Sequence, residues 1–490
     1  MNLDERSALL GKDGMTRIAN EVHRMTSGGG RTDVQIVSSW RSDIRWGRNT
    51  VSVAEDHQDY IVLILRRING AVAFKHTNQI SLSALQETVR FVEASARAGE
   101  PRIVRPALSP QLERLDVPST PVWSEHTVGI PVNERARIAA ALIARGTARD
   151  VMSSGYLEWR CRESMAFRFG TADGPASAIG DDSSPLDTQD DTAADFLAAG
   201  DLSDYIRHTQ AQCSMTAFHK SGIGTGWAGL ASFDWNAIPY ETLATRAIEK
   251  CLAFTNPGVL EPGRYTAILE PQAVSTLVTL MVNALDRTAA ERGRSAYSFR
   301  PDPQLRLWRT RLGMKMVDDR ITIRHDPMDS MLGVLPVPGL RPVTWIEQGK
   351  LVSLSYNQAY AQRMLKETDA NYSRPSYRME GGTTSVEQMI QSTKHGVLIT
   401  RLSEVIQLKP TELLVTGQTQ DGMWEIKDGR LLRAVHNMRF TDSPLLALNA
   451  VESLGPAVPV FSPLPDRLMP IVVPSLKVNG FALTASLPSL

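Results

Sequence analysis

The 490-residue sequence is poor in the features that would mark a specialised chain. Its three cysteines, Cys161, Cys213 and Cys251, are odd in number, far apart and outside any C-x-x-C pair. That excludes a disulfide framework and a thiolate zinc site and fits a reducing compartment. No apolar run approaches the ~18 residues of a membrane span. The first residues, MNLDERSALLGKDG, place acids where a secretory signal would carry basic and apolar regions. The expected location is therefore the cytoplasm, with no membrane association. Charge of one sign is also missing, since 53 Lys and Arg balance 53 Asp and Glu. No net field draws the chain to nucleic acid.

Ready-made catalytic motifs are equally scarce. There is no G-x-S-x-G elbow, and none of the nine histidines lies within five residues of another, so no helix face offers two imidazoles to one metal. A metal held by scattered residues such as His325, His395 and His436 is the weaker alternative. His325 beside Asp326 could be an oriented imidazole, but the Asp-Pro pair reads more simply as a turn closing the strand ITIRH. Asp318 and Asp319 are adjacent, so on a strand they would point to opposite faces and could not share acid/base work.

What is present is alternation. A Gly-rich lead ends at Gly30, after which DVQIVSSWRSDIRWGRNTVSVAEDHQDYIVLILRRINGAVAFKH reads as antiparallel strands, with Asn69-Gly70 as a tight hairpin turn. SLSALQETVRFVEASARAG predicts a helix with Ser83 and Gln86 at capping-box spacing, apolar positions Leu85, Val89 and Val92, and a terminal Gly99. NERARIAAALIARG predicts a second helix. The acidic stretch from Gly180 to Phe196 lacks the register of a calcium loop and reads as solvated chain. SGIGTGWAG resembles a phosphate loop, yet no helix follows at once, so a glycine-rich strand beside another backbone is favoured. From Arg320 onward strands and turns dominate, including Gln348-Gly349 and Asp428-Gly429. The expected class is α+β. It divides into a flexible lead (1–30), an N-terminal α+β domain (31–230) and a β-rich, barrel-like C-terminal domain (231–490).

The order of these pieces carries more than any one of them. SGIGTGWAG before a helix, PGRYTAILEPQAVSTLV, RITIRHDP, WIEQGKLVSL, GVLITRL, DGMWEIKDGRL and PSLKVNG together resemble the TldD/PmbA family of peptidase subunits; PmbA is also called TldE. The resemblance implies subunits that pair around a peptide-processing chamber. In the TldD type, H-E-x-x-x-H at a strand-to-helix junction and a late cysteine bind zinc, and the Glu activates water. Aligning Ala273-Val274 with the family places Pro271 and Thr276 at the histidine positions and Gln272 at the Glu. The cysteine position falls near Val460. The resemblance therefore implies the PmbA/TldE type: no catalytic residue, metal or cofactor in this chain, zinc in a TldD-type partner, and a peptide or unfolded-protein substrate. The alternatives are a divergent peptidase acting alone and a homodimeric peptide-binding protein.

Overall fold

The structure is a computed structural model that describes residues 9–69, 71–99, 123–170, 205–221, 224–254, 256–302, 304, 307–326, 329, 331–332, 342–356, 376–460 and 471–487. The acidic stretch 180–196 and Gly70 lie outside the described residues. Among the described residues no helix is long and apolar enough to cross a membrane.

The first half is built on one antiparallel sheet of six strands, β1 (Arg31–Gly47), β2 (Thr50–Ile68), β3 (Ala71–Thr77), β4 (Val151–Phe169), β5 (Ile206–His219) and β6 (Thr225–Ser232), in the order β3-β2-β1-β4-β5-β6. Period-two alternation sorts their side chains. Val34, Ile36, Ile44 and Trp46 of β1, with Leu157 and Trp159 of β4, pack on one face beneath the helices. Asp33, Arg41 and Asp43 occupy the other face. The β2–β3 hairpin has Ile68 opposite Ala71 and Asn69 at φ +48°, in agreement with the expected turn.

The helices of this half are α1 (Gly11–Met25), α2 (Leu82–Ala98), α3 (Glu125–Val128) and α4 (Val132–Ala148). The lead 1–30, expected to be flexible, contains α1, whose Met15, Ala19 and Val22 are fully buried against the sheet. Its polar composition hid that narrow stripe, spaced by four and three residues. In α2 the cap is Ser81, which accepts from the Ala84 backbone N–H, rather than Ser83 with Gln86. The helix starts two residues nearer the preceding strand, and Leu85, Val89 and Val92 are buried as expected.

Helix α5 (Tyr240–Ala253) follows the glycine-rich strand β6. Its Leu243, Ala244, Ala247, Ile248 and Cys251 join the core of the first sheet. By packing, the first half thus extends past residue 230 to the end of α5. A Cβ at Gly226 would lie 2.3 Å from the Ala247 carbonyl oxygen and 2.4 Å from the Cys251 nitrogen. Glycine at 226 therefore serves close backbone approach.

The second half has a closed ring of five strands. β7 (Gly263–Leu269) lies between His395–Lys409 and Leu476–Ser486; Met438–Asp442 and Leu414–Lys427 complete the ring, the last pairing back to His395–Lys409. Closure leaves no edge within the barrel. One pair, β7 with His395–Lys409, is parallel. The hairpin turns expected at Gln348-Gly349 and Asp428-Gly429 are present, with all four residues at positive φ. A second six-stranded sheet, including Ile323–His325, Val343–Glu347, Tyr377–Met379 and Val458–Val460, packs beside the barrel on the central helix α6 (Pro271–Asn283). The chain is thus α+β with a barrel in its C-terminal part.

Candidate functional site at the β7–α6 junction

The apolar run of β7 ends at Leu269, and the Glu270 backbone N–H still donates to the Ile399 carbonyl, 3.0 Å away, continuing the parallel ladder by one step. Glu270 is extended at the N-cap position, and Pro271 opens α6 where its missing N–H is harmless. Eight of the next residues, from Ala273 to Val282, are buried in the main core. The partly open positions of α6 are Pro271, Gln272, Thr276 and Leu280. Residues 272, 276 and 280 share one helix face. The positions singled out by the family resemblance therefore line the accessible side of the helix.

The hydroxyls here bond within the helix. Thr276 Oγ1 and Ser275 Oγ both donate to the Gln272 carbonyl, at 3.3 and 2.8 Å, turning their hydroxyls back onto the helix. Thr279 Oγ1 lies 2.5 Å from the Tyr377 phenol, which also donates to the Ser275 carbonyl. Val460, at the expected cysteine position, is buried on a strand packed against α6. Among the described residues no group of three His, Cys, Asp or Glu side chains gathers at this junction.

Charge at the junction comes from other residues. Lys250 of α5 places Nζ 2.5 Å from Glu270 Oε2 and 3.1 Å from Thr400 Oγ1, beside the Trp424 ring. Next to it Arg401 pairs with Asp421 and stacks on Trp227. Asp421 has φ +57° and is followed by Gly422 at φ +124°, in a bulge where the strand register slips opposite Thr400. The bulge turns the Asp421 carboxylate inward, where burial raises its pKa against the opposing pull of Arg401 and Lys250. Two cations and two carboxylates are thus gathered beside the N-terminus of α6. Nothing in the sequence pattern flagged Lys250, Glu270 or Asp421, because their partners come from separate segments.

The scattered histidines do not converge into a ligand set. His325 is buried, its Nδ1 3.0 Å from Ser376 Oγ and 3.1 Å from the Ser376 carbonyl, and burial lowers its pKa. Asp326 pairs with Arg324. His395 lies 3.4 Å from Glu425 and edge-on to Tyr265. The His436 backbone N–H donates to the Gly258 carbonyl. No metal-capable group among the described residues includes these three. All three cysteines are buried free thiols; burial pushes Cys213 and Cys251 up to about 12, so they stay protonated and are poor nucleophiles.

Residues 262–485 match the PmbA/TldA metallopeptidase C-terminal domain, a span that begins at β7 and contains both the junction and the barrel. The C-terminal part of the chain is thus a PmbA/TldD-type domain. No curated protein matches it. A structure of a candidate DNA gyrase modulator from Bacteroides thetaiotaomicron is similar at 15% identity and a TM-score of 0.72, covering 97% of this chain and 100% of that one. One from Thermotoga maritima with the same description is 12% identical, with a TM-score of 0.71 and 96% and 99% coverage. TldE from Thermococcus kodakarensis is 13% identical, with a TM-score of 0.70 and the same coverage. At these identities the likeness establishes the shared fold across both halves.

Proposed function

We propose that this chain is the subunit without a zinc site in a TldD/PmbA-type peptide-processing assembly, acting beside a TldD-type partner that carries H-E-x-x-x-H. The supporting observation is the open face of α6. It presents a pyrrolidine with no donor atom, a hydroxyl bonded to its own helix and an amide that cannot take a proton from water. The chain's contribution is then to help enclose and dock an extended peptide, through strand edges that bond backbone without selecting sequence.

Cleavage of an unfolded peptide by the purified chain, by a TldD-type partner and by the two together tests this. No activity is expected from this chain alone, and chelator-sensitive activity that rises on mixing. Chelator-sensitive cleavage by this chain alone would sink the reading. So would a failure to associate with any TldD-type chain while remaining a homodimer.

A further inference from the structure

The face of the first sheet that carries no described helix is where unsatisfied buried polar atoms concentrate. Asp43 and Glu55 sit directly opposite each other on β1 and β2, and His57 follows Glu55 by two residues on the same face. One ligand atom from each of the three lies within 4.8 Å of the others. The Asp43 carboxylate is fully buried. Its Oδ1 accepts from the Tyr156 phenol at 3.1 Å, and its Oδ2 has Arg41 Nε only 2.9 Å away. Yet neither Oδ2 nor that Nε makes a hydrogen bond, because the N–H is not directed at the oxygen. His57 Nε2 lies 2.9 Å from Glu55 Oε1 and is off the line of a well-aligned hydrogen bond.

A buried carboxylate oxygen left without a donor is costly and calls for a missing partner. The 2.9 Å approach of His57 Nε2 to Glu55 Oε1 has the spacing that a shared cation produces. Metal–ligand bonds of about 2.1 Å set neighbouring ligand atoms about 3 Å apart. Glu158, beside Asp43 on β4, adds a third carboxylate, itself already paired with Arg160. We propose that Asp43, Glu55 and His57 bind a divalent transition-metal ion of the Zn2+ or Mn2+ class on the helix-free face of the first sheet. One imidazole with two carboxylates suits those ions better than calcium or magnesium, which prefer oxygen alone. Arg41 competes for Asp43. Its side chain is 37% exposed and its N–H misaligned, so it loses little by turning to solvent as the ion enters.

The test uses the full-length isolated chain, stripped by chelator and dialysed against Zn2+ alone or Mn2+ alone, with bound metal measured by mass spectrometry. One equivalent is expected, and Mn2+ should broaden the His57 imidazole resonance. Glu55→Gln and His57→Asn should each weaken binding at least tenfold. Both residues are partly exposed, so without metal the two variants should melt with the wild type. Arg41→Met should tighten binding several-fold by removing the competing cation. No retained ion, retention unchanged in both ligand variants, or weaker binding in Arg41→Met would overturn the site. Because the readout is ion binding to the isolated chain, its failure leaves the proposed subunit role untouched, and failure of that role leaves this site untouched.

Discussion

His208 is the residue whose surroundings most change its chemistry. It sits on β5 with 3% of its surface exposed, opposite Arg162 and near Arg160. Burial, then the two guanidiniums, lower its pKa from 6.5 to about 3. The unfolded chain therefore takes up the proton first. Stability from the neutral folded imidazole is complete above pH 6.5 and is lost progressively as pH falls from 6.5 towards about 3. Between pH 7 and 5 this one residue should cost about 2 kcal/mol. Urea unfolding of wild type and His208→Gln at both pH values checks it, since the pH-dependent part should shrink in the variant. Equal pH sensitivity in the two proteins would refute it. None of this was legible in the sequence, where His208 is one of nine isolated histidines. Its burial is imposed by strands that join it only through the fold. Pro271, Gln272 and Thr276 are the opposite case, because helical spacing and family order placed them on one face of α6 before any coordinates.

Elements were legible where a single period ruled them. β4 alternates along most of its length, β1 and β2 do so less because both of their faces are buried over 32–38 and 62–66, and α6 shows its stripe because only the face of 272, 276 and 280 stays partly open. α1 escaped because its buried contacts are small and few. The parallel pairing of β7 with His395–Lys409 escaped because alternation does not specify which strand lies alongside. The glycine-rich stretch was read correctly as a close approach, and it gives an element-scale prediction. Gly226→Val would drive side-chain atoms into the backbone of α5, which cannot give way like a flexible side chain. The expected cost is about 3 kcal/mol, at the upper end for overpacking, read as a lower urea midpoint. Gly480→Ala is a useful contrast. A Cβ there meets nothing within 4 Å, although its φ of +72° still strains alanine, so the loss should be near 1 kcal/mol.

At the scale of the whole molecule, a charge network at the head of α6 links the two halves alongside their packing. α5 belongs to the core of the first sheet, yet its Lys250 reaches Glu270 at the head of α6 and Thr400 on the barrel wall. The Lys250 and Glu270 side chains are 12% and 21% exposed, so water screens the pair only partly. Removing the cation alone leaves a half-buried carboxylate with one partner fewer, which costs more than removing both charges. Lys250→Met should therefore destabilise by about 2 kcal/mol, below the range for fully buried pairs because of that partial exposure. Lys250→Met with Glu270→Gln should recover part of the loss, giving a coupling of about 1 kcal/mol in a double-mutant cycle. If the network sets how the halves meet, Lys250→Met should also lower the activity gained with a TldD-type partner, and the double variant should restore some of it. Additive stability losses with unchanged partner-dependent activity would show instead that the pair is a bystander and that packing alone holds the two halves in register.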